Sequence, residues 1–98
     1  MNYGTFTSSQ YAEVMYGDDY NELEFDITLR CVEPSIKVSR HEPADAAIFV
    51  IDCIYVNNKM DGFYHEISHD VFFTILGKEA SRSMIENAEY EANESGEF

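Results

Sequence analysis

The residues with the most recognisable chemistry form the segment His65-Glu66-Ile67-Ser68-His69, which matches the H-E-x-x-H motif of zinc peptidases. On a helix, histidines four residues apart lie on one face, where both imidazoles can bind one Zn²⁺ and the glutamate can activate the bound water. Glu89, on a predicted second helix, supplies a third ligand. The motif indicates one candidate function, a minimal zinc peptidase with His65, His69 and Glu89 as ligands and Glu66 as base.

The residues around the motif argue against that function. Ser68, followed by an acid at Asp70, is typical of a helix N-cap, and a helix that begins there does not include His65. The two histidines would then not share a helical face. A chain of 98 residues also leaves little material for the walls of a substrate cleft. We therefore predict no catalytic residue, no metal and no cofactor, and keep the zinc peptidase as the alternative.

Carboxylates are the other reactive side chains, and they are present in large excess. Six Lys and Arg residues stand against 19 Asp and Glu residues, which gives a formal net charge of −13. The excess lies at the two ends, because the first basic residue is Arg30 and none follows Arg82. Such a field repels nucleic-acid phosphates and anionic lipids and attracts cationic partners over long range. We expect a protein with a basic surface as partner, and neither nucleic acid nor membrane as a direct ligand.

The candidate partner-binding residues are the carboxylates of these two acidic ends. They are Asp18, Asp19, Glu22, Glu24, Asp26, Glu86, Glu89, Glu91 and Glu94. Tyrosines interleaved with them would add aromatic anchors at an interface, namely Tyr3, Tyr11, Tyr16, Tyr20 and Tyr90. The alternative interpretation is that the acidity only maintains solubility.

Alternation of apolar and polar residues predicts the strands that would position the amino-terminal acids. Residues 22–31 alternate with a period of two, which indicates a strand with one buried side, and Pro34 ends it or marks a bulge. The apolar run 46–56 predicts a central strand, and Asn57-Asn58 predicts a turn after it. We also expect a short strand over 35–39, a loop over 40–45, and a return strand or loop over 59–64.

Past Gly62 the apolar spacing changes to three or four residues, at Phe63, Ile67, Val71 and Ile75, which predicts a helix. Gly77 is expected to end it. A second helix over residues 79–92 would turn Met84, Ile85 and Ala88 toward the core and its glutamates outward.

Strands followed by helices predict an α+β fold: a small antiparallel sheet of three to four strands, with one or two C-terminal helices packed on one face. We expect one domain over residues 22–92, between a loosely ordered acidic lead-in over 1–21 and a frayed tail over 93–98. The sequence contains neither a membrane-spanning apolar run nor signal-peptide features at its start, so we expect a cytoplasmic protein. Cys31 and Cys53 are then reduced thiols at apolar core positions.

The segment from Pro43 to Glu94 resembles a loosely defined group of small acidic proteins encoded by phages and prophages, mostly of unknown function. Three features carry the resemblance: Pro43-Ala44 before the β segment 47–51, the pair Asn57-Asn58, and an acidic helix that begins at Ser68. The resemblance covers about half of the chain and places the histidine motif at a strand-to-helix junction. It implies an inhibitor or modulator of a host protein that handles nucleic acid, acting in the host cytoplasm and in some cases by imitating DNA.

Overall fold

The computed structural model of the chain describes residues 3–16, 19–34, 47–58 and 62–95. Along these residues four strands precede two helices: β1 (Thr5–Tyr16), β2 (Asp19–Glu33), β3 (Ile48–Asn58), β4 (Phe63–Ile67), α1 (His69–Leu76) and α2 (Lys78–Glu94). The strands form one antiparallel sheet in the order β1-β2-β3-β4. The predicted α+β fold is therefore confirmed. Neither described helix combines the length and apolar character needed to cross a membrane.

The core is built on one side of β2. Phe25, Ile27 and Leu29 are completely buried, which confirms the alternation predicted for residues 22–31. The helices supply the opposite half of the same cluster, with Phe72 from α1 and Met84, Ala88 and Ala92 from α2. The rings of Phe25 and Phe72 meet edge to face, with their centroids 5.5 Å apart. Both helices therefore cover the same side of the sheet.

The ends of α1 follow from two residues that the sequence already marks. The amide of Val71 donates a hydrogen bond to the Ser68 hydroxyl at 3.2 Å, so Ser68 is the N-cap. Gly77 separates the two helices with a φ of 84°, a region that favours glycine. Its amide donates to the Phe73 carbonyl at 2.8 Å, which closes the last turn of α1. The predicted cap at Ser68 and the predicted end at Gly77 are both confirmed.

The prediction of a loosely ordered lead-in over residues 1–21 is wrong for β1, whose residues all pair with β2 in a single register. The alternation of apolar and polar residues does not predict this strand, because its helix-facing side includes the polar residues Ser8 and Gln10. Ser8 is nevertheless buried, since its hydroxyl donates to a carboxylate oxygen of Glu91 on α2 at 2.5 Å. At this position, a hydrogen bond between β1 and α2 takes the place of the apolar contact that a buried strand residue usually makes.

Two local predictions around β4 are also wrong. Asn57 and Asn58 do not form a turn but end β3, where they pair with Tyr64 and Phe63. Phe63 and Ile67 belong to a strand and not to a helix. A spacing of four residues places two side chains on one side of a strand as well as on one face of a helix, so this pair could not distinguish the two. The strand predicted over 35–39 and the loop over 40–45 lie outside the described residues.

The carboxy-terminal end of α2 extends beyond the predicted limit. Asn93, expected in a frayed tail, is inside the helix, and its side-chain amide donates to the Glu89 carbonyl at 3.0 Å. Its side-chain oxygen accepts the amide of Ala47 at 2.9 Å, just before β3. This contact ties the end of α2 to the sheet and explains why the helix continues.

Phe72 and Phe73 are adjacent but differ sharply in burial, so they form a matched pair for testing the core. Phe72 is 0% exposed and Phe73 is 37% exposed. We expect Phe72→Ala to lower the free energy of unfolding by about 3 to 5 kcal/mol, and Phe73→Ala by about 1 kcal/mol. Urea unfolding of both variants measures the difference. Equal losses would contradict the packing of α1 described above.

Candidate functional site

The side of the sheet that faces away from the helices carries most of the polar residues of the strands. Strand residues alternate between two sides, so the residues between the buried ones of β2 point outward together with their cross-strand partners. We call this side the open face. Its members include Thr5, Thr7, Ser9, Tyr11, Glu13, Glu22, Glu24, Asp26, Thr28, Arg30, Cys53, Tyr55, Asn57, Tyr64 and Glu66. Cys53 thus lies opposite to the core position predicted for it, whereas Cys31 is buried; both thiols are free.

Glu24 lies at the centre of the open face and is held from both neighbouring strands. The register places it between Tyr11 of β1 and Asn57 of β3. The Tyr11 hydroxyl donates to its Oε1 at 2.9 Å, and the Asn57 amide donates to its Oε2 at 2.9 Å. Each carboxylate oxygen therefore has a donor, and the side chain is fixed in one orientation.

Asp26, two residues further along β2, is held in the same way. The Ser9 hydroxyl donates to its Oδ1 at 2.8 Å, and the Tyr64 hydroxyl donates to its Oδ2 at 3.2 Å. The Tyr64 ring stacks on Tyr55 with a centroid distance of 5.1 Å and an interplanar angle of 10°. Tyr64 remains 52% exposed, so the stacked pair presents an aromatic surface directly beside a fixed carboxylate.

The surroundings of Tyr64 keep its phenol protonated. Partial desolvation, and after it the hydrogen bond and negative charge of Asp26, raise the pKa of Tyr64 above its ordinary value of 10.0. The phenol is therefore a hydrogen-bond donor throughout the neutral range. It holds Asp26 without adding a charge of its own.

The open face has more negative charge than its own residues compensate. Glu13 and Glu22 face each other across β1 and β2, and like charges directly opposite each other destabilise a sheet. Arg30 is the one cationic residue among the described members of this face. A bound cationic group would relieve this repulsion.

The carboxylates of α2 lie on the other side of the molecule, because α2 packs on the core side of the sheet. Glu86 and Glu89 line a shallow surface depression together with Lys78 and Arg82 of the same helix. These two basic residues offset part of the helix's negative charge. The described candidate acids at the two ends of the sequence therefore do not form one surface, and the less compensated part is the open face.

Among the remaining candidate residues, Glu91 forms hydrogen bonds within the chain. Its two carboxylate oxygens accept hydrogen bonds from the Ser8 hydroxyl at 2.5 Å and from the Gln10 amide at 3.2 Å. Glu91 thus joins α2 to β1 on the helix side of the sheet, away from the open face. Glu94 is exposed at the end of α2, Asp19 begins β2, and Asp18 lies outside the described residues.

The H-E-x-x-H motif crosses from a strand to a helix. His65 and Glu66 belong to β4, whereas His69 is the first residue of α1. The His65 ring lies against Phe63, with centroids 4.6 Å apart. Within the described ranges, no three His, Cys, Asp or Glu side chains are grouped so that they could hold a metal ion. The shared helical face that a zinc peptidase needs is not formed, so the geometry gives that alternative no support.

Two important members of the open face were missed by sequence reasoning. Tyr11 was identified as an aromatic anchor, but Tyr55 and Tyr64 were not. Tyr55 lies inside the apolar run 46–56, where it resembles a core residue. Only the register between β3 and β4, with Asn57 opposite Tyr64, shows that both rings point away from the helices.

A second concave feature lies on the helix side, at the end of the sheet where helix coverage stops. This apolar cavity has a volume of about 520 Å³ and is lined by Val14, Asn21, Leu23, Val56, Asn58, Phe63 and Ile75. Its described lining has no ionisable side chain. It therefore offers apolar surface and two amide groups but no acid–base chemistry.

No family model, no curated protein and no solved structure matches the chain. The candidate site is therefore defined by its own geometry. Its distinguishing features are the two fixed carboxylates, Glu24 and Asp26, and the stacked pair of Tyr55 and Tyr64.

Glu89 gives a test of the electrostatics of α2. Partial burial, and after it the charge of Glu86, raise the pKa of Glu89 above 4.5. The Glu89 carboxyl thus binds its proton more tightly in the folded chain than in the unfolded chain. Ionised Glu89 therefore lowers the free energy of unfolding at neutral pH. This loss of stability disappears as the pH falls through the raised pKa. We expect Glu89→Gln to raise the free energy of unfolding near pH 7 by about 0.5 kcal/mol or less, because solvent screens this partly exposed group.

The gain from Glu89→Gln should vanish below about pH 4, where the wild-type carboxyl is protonated in both states. Urea unfolding at the two pH values measures it. Glu79→Gln is the control, since Glu79 lies in the first turn of α2, where a negative charge is favourable, and its loss should lower stability. A stability loss for Glu89→Gln near pH 7 would contradict the assignment.

Proposed function

We propose that this chain is a non-catalytic acidic binding protein whose open face engages a basic surface of another protein. The observation that carries the proposal is the fixation of Glu24 and Asp26, each by two donors from other strands of the sheet. Preorganised carboxylates lose little side-chain entropy on binding, so more of the charge attraction contributes to affinity. A solubilising charge needs no such fixation.

The stacked tyrosines support the same proposal. Tyrosine and arginine are enriched at protein interfaces, and aromatic rings near the centre of an interface often contribute much of the binding energy. Tyr64 combines an exposed ring with a hydrogen bond to Asp26. A guanidinium group beside Asp26 would meet both a carboxylate and the face of an aromatic ring, which is a favourable environment for a delocalised cation.

The partner in this proposal is a host protein that handles nucleic acid, and the setting is the host cytoplasm. The partner class follows from charge, because a surface that binds phosphates is basic and is attracted to a carboxylate array. Alternate residues of a strand are about 6.8 Å apart, so Glu22, Glu24 and Asp26 supply a line of charges at about half the axial density of one DNA strand. The resemblance to phage-encoded acidic proteins is consistent with inhibition by DNA mimicry.

Capture from a bacterial lysate tests the partner class. The chain should retain a basic nucleic-acid-handling protein at about 0.1 M salt, and both higher salt and short duplex DNA should release it, since they screen or compete for the same charges. The double variant Glu22→Gln/Glu66→Gln removes two open-face charges and should weaken retention. The control Glu86→Gln/Glu94→Gln removes two charges from α2 and should not.

Retention that is independent of salt, or that weakens equally in both double variants, would show that the open face is not the binding surface. Retention of no such partner under any of these conditions would favour the solubility interpretation of the acidity.

Tyr64 and Tyr90 provide a matched pair for the aromatic contribution. Both rings are largely exposed, but Tyr64 is on the open face and Tyr90 is on α2. With the captured partner purified, we expect Tyr64→Ala to weaken binding about tenfold or more and Tyr90→Ala to change it little. Tyr64→Phe keeps the ring and loses the hydrogen bond to Asp26, so it should have an intermediate effect. Calorimetric titration measures all three, and equal effects of the two alanine variants would contradict the proposal.

A further inference from the structure

Strand β1 is an unusually long and regular edge of the sheet. It is first in the strand order, and its one paired neighbour among the described strands is β2. All twelve residues of Thr5–Tyr16 pair with β2 without a register shift, whereas the other edge, β4, has only five residues. A long edge strand presents a row of backbone donors and acceptors on which another strand can pair.

The sequence and register of β1 itself show few of the usual protections of an edge strand. Proteins normally block edge strands with lysine, proline, a β-bulge or short length. Thr5–Tyr16 contains neither lysine nor proline, and Glu13 is its one charged residue. The register shifts of this sheet occur between β2 and β3, away from this edge. The edge is therefore suited to accept an additional strand.

One hydrogen bond determines which backbone groups of β1 face outward. The amide of Cys31 donates to the carbonyl of Gly4 at 3.0 Å, in line with the register that pairs Thr5 with Arg30. In an antiparallel ladder, hydrogen-bonded and non-hydrogen-bonded pairs alternate. The even-numbered residues of β1 therefore bond to β2. The amides of Thr7, Ser9 and Glu13 point away from β2, toward the outer edge of the sheet.

We propose that the β1 edge accepts an extended basic segment of the partner protein as an additional strand of the sheet. The inference rests on the proposed function and adds the binding mode to it. In strand addition, main-chain hydrogen bonds provide affinity and alternate side chains provide specificity. The chain's net charge of −13 favours a cationic segment over a second copy of the same chain.

The fixed carboxylates lie within reach of such a segment. A strand added beside β1 places every second side chain on the open face, next to the short side chains of Thr7 and Ser9 and about 9 to 10 Å from β2. Long arginine or lysine side chains can extend across these small residues toward Glu24 and Asp26. An ionised carboxylate has about four acceptor sites, so each retains capacity after its two internal bonds.

Peptides that differ only in their ability to form a strand test this binding mode. The probe is a ten-residue peptide of alternating arginine and threonine, and the control has the same sequence with N-methylated backbone amides, which keeps the charge but removes the amide donors. We expect the first peptide to bind at least about tenfold more tightly in calorimetric titration, which corresponds to a few ladder hydrogen bonds.

Hydrogen exchange of the wild-type chain locates the added strand. In the free protein the amides of Thr7, Ser9 and Glu13 should exchange quickly, and in the complex with the arginine–threonine peptide they should become protected. Thr7→Pro removes one outward amide at an edge position that tolerates proline, and it should weaken binding about tenfold. Thr7→Val is the control, since it also loses the hydroxyl contact with Thr28 but keeps the amide.

The possible results separate the inference from the proposed function. Protection of the outward amides together with loss of affinity in Thr7→Pro alone supports strand addition. Binding that leaves these amides unprotected, or equal affinity for both peptides, overturns strand addition but leaves an acidic binding face. Protection that appears without peptide and increases with protein concentration assigns the edge to a second copy and overturns the inference. No binding of either peptide, together with no capture of a basic partner, removes the proposed function as well.

Discussion

Strand β2 meets two opposite requirements along the same stretch of chain. Its apolar row, with Phe25, Ile27 and Leu29 completely buried, holds the sheet against both helices. Because strand residues alternate, burying that row forces the intervening row, including Glu24 and Asp26, to the other side of the sheet. A register slip of one residue would exchange the rows and bury unpaired carboxylates, which is costly. The placement of the acids thus follows from the hydrophobic core.

The other three strands then hold this row of charged side chains in fixed orientations. Tyr11 and Ser9 reach the carboxylates from β1, while Asn57 and Tyr64 reach them from β3 and β4. These contacts orient the acceptors but do not neutralise them, since none of the four donors is charged. The open face is consequently ordered and still negative. This combination distinguishes it from α2, where basic residues lie among the glutamates.

Strand β1 links the core side to the open face. On the core side, Ser8 and Gln10 bond to Glu91, so a carboxylate of α2 stabilises a strand whose inner side is too polar to be held by apolar contacts alone. On the open face, the same strand contributes Ser9 and Tyr11 to the carboxylate network. Its outer edge remains regular over its full length. The geometry of the site and the stability of this strand therefore depend on each other.

The sequence by itself determined the elements whose signals are local. Short runs of neighbouring residues encode the alternation of β2, the Ser68 cap and the Gly77 break, and together these signals give the order of strands and then helices. The acidic excess follows from the composition alone. Only the tertiary structure decided that residues 5–16 form a strand, that Glu91 bonds to β1, and that the described candidate acids of the two ends lie on opposite sides of the sheet. Ser8 and Glu91 are 83 positions apart, and the contacts around Glu24 and Asp26 join three further strands. Such pairings depend on register and packing between distant segments, which no local pattern records.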